Sequence, residues 1–123
     1  LEGVRRTVAD LHAAHGAVAL LILNAGTYKP DSAAKLDAAV YRQTIDINLM
    51  GVVNCLDAAL PDMIARRMGQ VVIVSSVAGY RGLPRSLAYG ASKAALINLA
   101  ESLYLDLERY GIRTQLVNPG FIK

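Results

Sequence analysis

Apolar positions along the chain follow two different periods. Leu1, Val4, Val8 and Leu11 recur at helical spacing and predict a first helix ending near Gly16. "AVALLIL", Ala17 to Leu23, is instead a continuous apolar run, the pattern of a strand buried on both faces, and it stops at "NAG". After the loop "TYKPDS", a long helical pattern runs from about Asp37 to Arg67. Its buried stripe is Ile45, Leu49, Val52, Leu56, Leu60 and Met63; Pro61 is expected to kink its end and Gly69 to close it. "QVVIV", Gln70 to Val74, predicts a second buried strand running into "SSVAGYRGLP", a loop with Gly and Pro punctuation and little else to pack. A third helix is expected from about Ser86 to Tyr110, with Leu96, Leu99, Leu103 and Leu107 along one side and Gly111 as its terminal cap. "IRTQLV" then gives a third strand, ending in "NPG". Alternating helices and buried strands predict an α/β fold with a parallel sheet and right-handed crossovers. There is no internal repeat and no low-complexity tract.

Composition narrows the class. The 123 residues make one modest domain at most, and 54% hydrophobic against 19% charged is the balance of a packed chain. No apolar run stands out as long enough to span a bilayer, so no transmembrane helix and no membrane partner is expected, and no secretory leader pattern opens the chain. The single cysteine, Cys55, has no partner within the chain and reads as a small core residue; a reducing, cytoplasmic setting is the simplest expectation. The formal charge of +3 is too mild and scattered to indicate nucleic acid. Arg5–Arg6 and Arg66–Arg67 read as solvated helix faces. His12 and His15 lack a third ligand, and no metal site is expected.

In a parallel sheet of this kind, ligands lie beyond the carboxyl ends of the strands. Those ends are "NAG", "SS" and "NPG", and the start of the third helix lies beside the second of them. That helix carries "AYGASKAAL", which sets Tyr89 and Lys93 one turn apart on a shared face. A free phenol, with a pKa of about 10, exchanges protons poorly near neutrality; a cation held close favours the phenolate. An exposed Tyr–Lys pair at this spacing is common, but the surroundings outweigh that reading. Ser76 stands at the end of a buried strand, where its hydroxyl could bond a substrate oxygen, although most such serines only cap turns. Asn48 interrupts an apolar helical stripe and is either a satisfied core asparagine or part of a water-holding relay behind Lys93. Tyr28 and Tyr80 lie in loops near the same cleft.

"LNAG", "INLMGVVNCLDAALPDM", "VVIVSSVAG", "YGASKAAL" and "NPGFI" occur in an order and at spacings that resemble the short-chain dehydrogenase/reductase family, specifically its single-domain subfamily with a YxxxK active site. The resemblance covers essentially the whole chain. It implies a doubly wound, Rossmann-like parallel sheet, of which this chain is the C-terminal part, and hydride transfer between NAD or NADP and a secondary alcohol or ketone. Carried over by position, Tyr89 would be the acid/base, Lys93 would lower its pKa and bind the nicotinamide ribose, Ser76 would hold the substrate oxygen, and Asn48 would complete the relay. Asn24, Ala25 and Gly26 resemble the turn lining the adenosine ribose; Pro119, Gly120 and Ile122 resemble the segment under the nicotinamide. The corresponding long helices in the family pair with a second subunit, implying a homodimer or homotetramer.

The family's first asparagine of NNAG is replaced by Leu23, and neither its glycine-rich phosphate loop nor its substrate-covering segment is in the sequence. The chain therefore reads as residues 1–123 of a partial NAD(P)-binding domain, inactive by itself. The alternative is a non-catalytic truncated relative acting as a binding or assembly module. A sugar-nucleotide epimerase or dehydratase also uses YxxxK, but "NPGFI" and the tight "SSVAGYRG" spacing argue against it.

Overall fold

The computed structural model describes residues 1–121. Ile122, assigned above to the nicotinamide segment, lies outside the described residues. The chain folds as α1 (Glu2–His15), β1 (Leu20–Leu23), α2 (Ala38–Ile45), a π-helical turn (Asp46–Met50), α3 (Gly51–Arg66), β2 (Gln70–Val74), α4 (Leu87–Leu107) and β3 (Arg113–Val117). The three strands form one sheet in the order β1-β2-β3, parallel throughout, with Leu23 opposite Ile73 and Ile73 opposite Leu116.

The register decides what is buried. Leu21, Leu23, Val71, Ile73 and Leu116 project to the face covered by α3 and α4, where they meet Val52, Leu56, Met63, Leu96 and Ala100. The opposite face holds Leu20 and Ile22, 49% and 57% exposed. The central strand β2 buries Val71 and Ile73 on the covered face and is half-buried on the other. The expectation that β1 is buried on both faces is corrected: its apolar run suits two covered faces, but the described helices cover one. The strand also begins at Leu20 rather than Ala17.

The long helix begins where its sequence sets it, at N-cap Asp37, whose carboxylate accepts from the Ala39 and Val40 amides. Its irregularity is the π turn around Asn48; the helix continues through Pro61 to Arg66. Arg67, in the left-handed region at φ 53, terminates it instead of Gly69. Gly69 has a different duty: a Cβ there would come within 2.7 Å of the Met63 sulfur. As one continuous helix, Ala38–Arg66 has 29 residues and is long and apolar enough to cross a bilayer, which corrects the expectation that no segment is. Its apolar content includes Val52, Leu56, Ala59 and Met63, buried in the core.

The arginine pairs are also more engaged than solvated faces. Arg5 binds Asp57 through Nε and Nη2 at 3.0 and 2.7 Å, tying α1 to α3. Arg66 bonds Asp62 and the Val18 carbonyl. Cys55 packs against the core, and His12 and His15 are exposed in the last turn of α1.

Candidate functional site

The carboxyl end of β2 carries Ser75 and Ser76, whose side chains go separate ways. Ser75 is buried, and its hydroxyl donates to the Lys93 carbonyl at 2.8 Å, pinning α4 to the strand end. The Ser76 hydroxyl accepts from the Ala78 amide at 3.1 Å, capping a single 3-10 turn, Val77–Gly79. This turn corrects the picture of a loop with little to pack. Ala78 is buried, and a Cβ on Gly79 would fall 2.7–2.9 Å from Ile97 and the Lys93 backbone. Gly90, on α4, similarly approaches the Ala78 carbonyl, which a Cβ would meet at 3.3 Å. Two glycines therefore let the Ser76 turn lie directly on the start of α4.

Lys93 is 5% exposed. Its ammonium has one long bond, 3.4 Å to the Val74 carbonyl, and sits 5.5 Å from the centre of the Tyr89 ring. Burial disfavours its charge and lowers its pKa. Asn48 is fully buried and well supplied: Oδ1 accepts from the Thr27 amide at 2.7 Å, while Nδ2 donates to the Thr27 carbonyl at 2.9 Å and to Ser92 Oγ at 3.1 Å. Of its two sequence readings, its side chain is that of a satisfied core asparagine. Ser92 passes the connection on, its hydroxyl donating to the Tyr89 carbonyl at 2.7 Å. A Cβ on Gly26 would sit 3.5 Å from both Asn48 Oδ1 and Lys93 Nζ, so the "NAG" turn backs onto both groups.

Two adjoining cavities open here, and Tyr28 and Tyr89 wall both. The larger, about 420 Å³, takes Ser76 and Gly120 together with Val77, Leu83, Pro84 and Phe121. The smaller, about 260 Å³, takes Asn24, Gly26, Lys93 and Pro119. Ala25 lies exposed in the turn between Asn24 and Gly26. The two tyrosine rings meet edge to face, 5.2 Å apart. Tyr80 is bonded through its hydroxyl to Asn118 Nδ2.

Such an arrangement can orient a small polar molecule against a phenol on one side and a second, flatter molecule against a buried ammonium on the other. Among the described residues Lys93 Nζ has no carboxylate partner, so it has donor capacity left over, and Gly26, Thr27 and Ser75 in its cavity wall let a ligand approach the backbone. Those features fit a nucleotide bearing ribose hydroxyls.

Sequence reasoning did not single out Ser75, Ser92 or Asp31. Ser92 was findable, being three residues after Tyr89 and next to Lys93, where a helical serine reaches back to a carbonyl. Asp31 bonds residues far along the chain and left no local signal.

The family model for short chain dehydrogenases matches residues 1–123. An uncharacterized oxidoreductase of Myxococcus xanthus is 42% identical over 113 residues, 92% of this chain and 45% of that protein. Among solved structures, ElxO with NADP bound superposes with a TM-score of 0.95 at 29% identity, covering 99% of this chain and 50% of that one. NAD+-bound xylitol dehydrogenase gives 0.95 at 32% identity, covering 99% and 47%. The chain spans about half the length of the relatives it matches.

Proposed function

Because the chain belongs to the short-chain dehydrogenase family, we propose that it supplies the proton-transfer half of an NAD(P)-dependent oxidoreductase interconverting a secondary alcohol and a ketone. The observation that carries this reading is the position of Tyr89, shared by two cavities, with Ser76 in one and Lys93 in the other. The nicotinamide nucleotide, when bound, supplies or accepts the hydride.

The chain's own residues do the rest. The Tyr89 phenol gives its proton to the substrate oxygen in reduction and takes it back in oxidation. The ammonium of Lys93 lowers the cost of the phenolate and offers its remaining donors to ribose hydroxyls. Ser76 directs a hydroxyl at the substrate oxygen, fixing it for proton transfer. Asn48, through Thr27 and Ser92, holds the turn and helix that bracket Lys93, and a water at its backbone would complete the relay. Asn24, Ala25, Gly26, Pro119 and Gly120 line the nucleotide. The glycine-rich phosphate loop and the substrate-covering segment expected of the family are not in this sequence, which spans about half the length of its relatives. The exposed Tyr104 and Leu105 of α4, the latter 71% exposed, support a homodimer or homotetramer, testable by light scattering. The free Cys55 agrees with a reducing, cytoplasmic setting.

The test is fluorescence titration with NADH and NADPH, applied to this chain and to a longer protein containing it, followed by turnover of Tyr89→Phe. The variant should keep nucleotide affinity and lose roughly a hundred- to ten-thousandfold in kcat. Unchanged turnover would refute the acid–base role. Binding to neither protein would favour the assembly-module reading.

A further inference from the structure

α4 is 21 residues long, yet the residue at its N-cap position, Ser86, makes no capping bond with its side chain. The first amides of a helix need acceptors, and here they come from a distant loop. The Asp31 carboxylate takes one on each oxygen, the Leu87 amide at 2.7 Å and the Ala88 amide at 2.9 Å. The contact is reciprocal, since the Asp31 amide donates to the Arg85 carbonyl at 3.4 Å. The Tyr28 hydroxyl donates to the same carbonyl at 3.2 Å, while its ring meets Tyr89. Arg85 is one of two non-glycine residues with positive φ, at 60°, among the described residues. A backbone held in that sparsely populated region is over-determined by its surroundings, and the surroundings are Tyr28 and Asp31.

The other end of this loop is fixed as well. Thr27 is gripped at both its amide and its carbonyl by Asn48. Residues 27–31 therefore run from the π turn to the first turn of α4, fastened at each end, and Tyr89 follows the capped amide of Ala88 directly.

Resting on the reading of Tyr89 as the acid/base, we infer that Asp31 is a positioning residue for that phenol: its carboxylate fixes the first turn of α4, and Tyr28 and Arg85 complete the clamp. Negative charge at a helix N-terminus is favourable in itself, but this carboxylate also joins two segments more than fifty residues apart. Without it, the first turn of α4 frays and Tyr89 loses its fixed distance from Lys93 and Ser76.

The test compares Asp31→Ala with Asp31→Asn, whose single amide oxygen can keep only one of the two bonds, and with Asp31→Ser as a milder cap should the alanine variant fold poorly. Amide exchange at Leu87 and Ala88 should accelerate about tenfold in Asp31→Ala, the scale of a lost cap, with Leu99 to Leu103 unaffected. The 13C signal of the Tyr89 ring, identified by its loss in Tyr89→Phe, should shift and broaden. In the longer protein, kcat should fall roughly ten- to a hundredfold, while KM for the nicotinamide nucleotide changes less than about twofold. Asp31→Asn, which keeps one acceptor, should fall between wild type and Asp31→Ala in all three readouts. Loss of thermal stability with an unmoved Tyr89 signal and unchanged kcat would overturn the inference. An active Tyr89→Phe would refute the acid–base reading alone, and the ring signal would still decide whether Asp31 positions Tyr89.

Discussion

The two halves of α4 bury different things. Its amino half, Leu87 to Lys93, buries Ala88, Gly90, Ser92 and Lys93, which are small or polar and reach partners on the π turn and the end of β2. Its carboxyl half buries Leu96, Ala100 and Leu107 in the main core. The amino half offers little apolar area and carries a lysine that burial disfavours, so it is held by directional bonds from Asp31, Ser75 and Asn48. The carboxyl half is held by packing. One continuous helix thus lets a stable end carry a costly end, and the costly end carries the proposed acid/base.

The largest expected effect lies in the carboxyl half. Leu96, 1% exposed, belongs to the main core cluster together with Val71 and Ile73 of β2. Leu96→Ala should cost about 2–5 kcal/mol of unfolding free energy, from lost transfer and an imperfectly collapsed cavity. Ser92→Ala, in the amino half, should cost only about 1 kcal/mol, because Asn48 keeps both bonds to Thr27. Urea denaturation of the two variants checks the contrast. Equal losses would mean that the hydrogen-bonded end contributes as much as the packed one.

Lys93→Met sharpens the comparison with the opposite sign. The folded pKa of Lys93 lies below 10.5, lowered by burial. Below the folded value the ammonium bears its full burial cost. Between that value and 10.5 the unfolded chain binds more protons, so this group makes stability rise with pH. Above 10.5 both states are neutral and the cost is gone. Lys93→Met should therefore be more stable than wild type at pH 7, on the order of 1 kcal/mol, with the gain shrinking toward zero as pH passes 10.5. Denaturation midpoints of the two proteins, compared at each pH in a Tyr89→Phe background so that the phenol coupled to Lys93 does not titrate, test this; a gain independent of pH would point to packing instead of charge. The same variant should be inactive in the longer protein, which is the sense in which the amino half trades stability for function.

What was legible in the sequence follows the same division. Strands and helices were readable because they are written in local periods: "QVVIV" forms β2 at the expected residues, and the Leu96–Leu107 stripe packs as its spacing requires. Tyr89 and Lys93 were readable because a helix fixes residues four apart. The exposure of Leu20 and Ile22 was not, since an apolar strand records what it can bury and not what covers it. The π turn at Asn48 has no signature in the pattern, because one wider turn shifts the stripe too little to notice. Asp31 read as a loop residue because its partners, Leu87 and Ala88, follow only after both long-helix and strand segments have intervened. The short-chain dehydrogenase motifs marked the proposed reacting groups, while the bonds that hold them in place are tertiary.

The smallest expected effect tests where strain is stored. Arg85 holds φ 60 immediately before α4, and its side chain has no hydrogen bond among the described residues, so only its backbone is at issue. Glycine adopts this conformation without the penalty of a Cβ, about 1–2 kcal/mol, but costs about 0.5–1 kcal/mol more chain entropy on folding. Arg85→Gly should therefore change the unfolding free energy by about +0.5 kcal/mol, close to the limit of denaturant titration. Its dynamics are the sharper readout. If the clamp and not the residue dictates the turn, amide exchange at Leu87 and Ala88 stays at the wild-type rate in Arg85→Gly, because Asp31 still caps both. Faster exchange with unchanged global stability would place the restraint in the Arg85 backbone, and the amino half of α4 would then be held by a strained hinge more than by its hydrogen bonds.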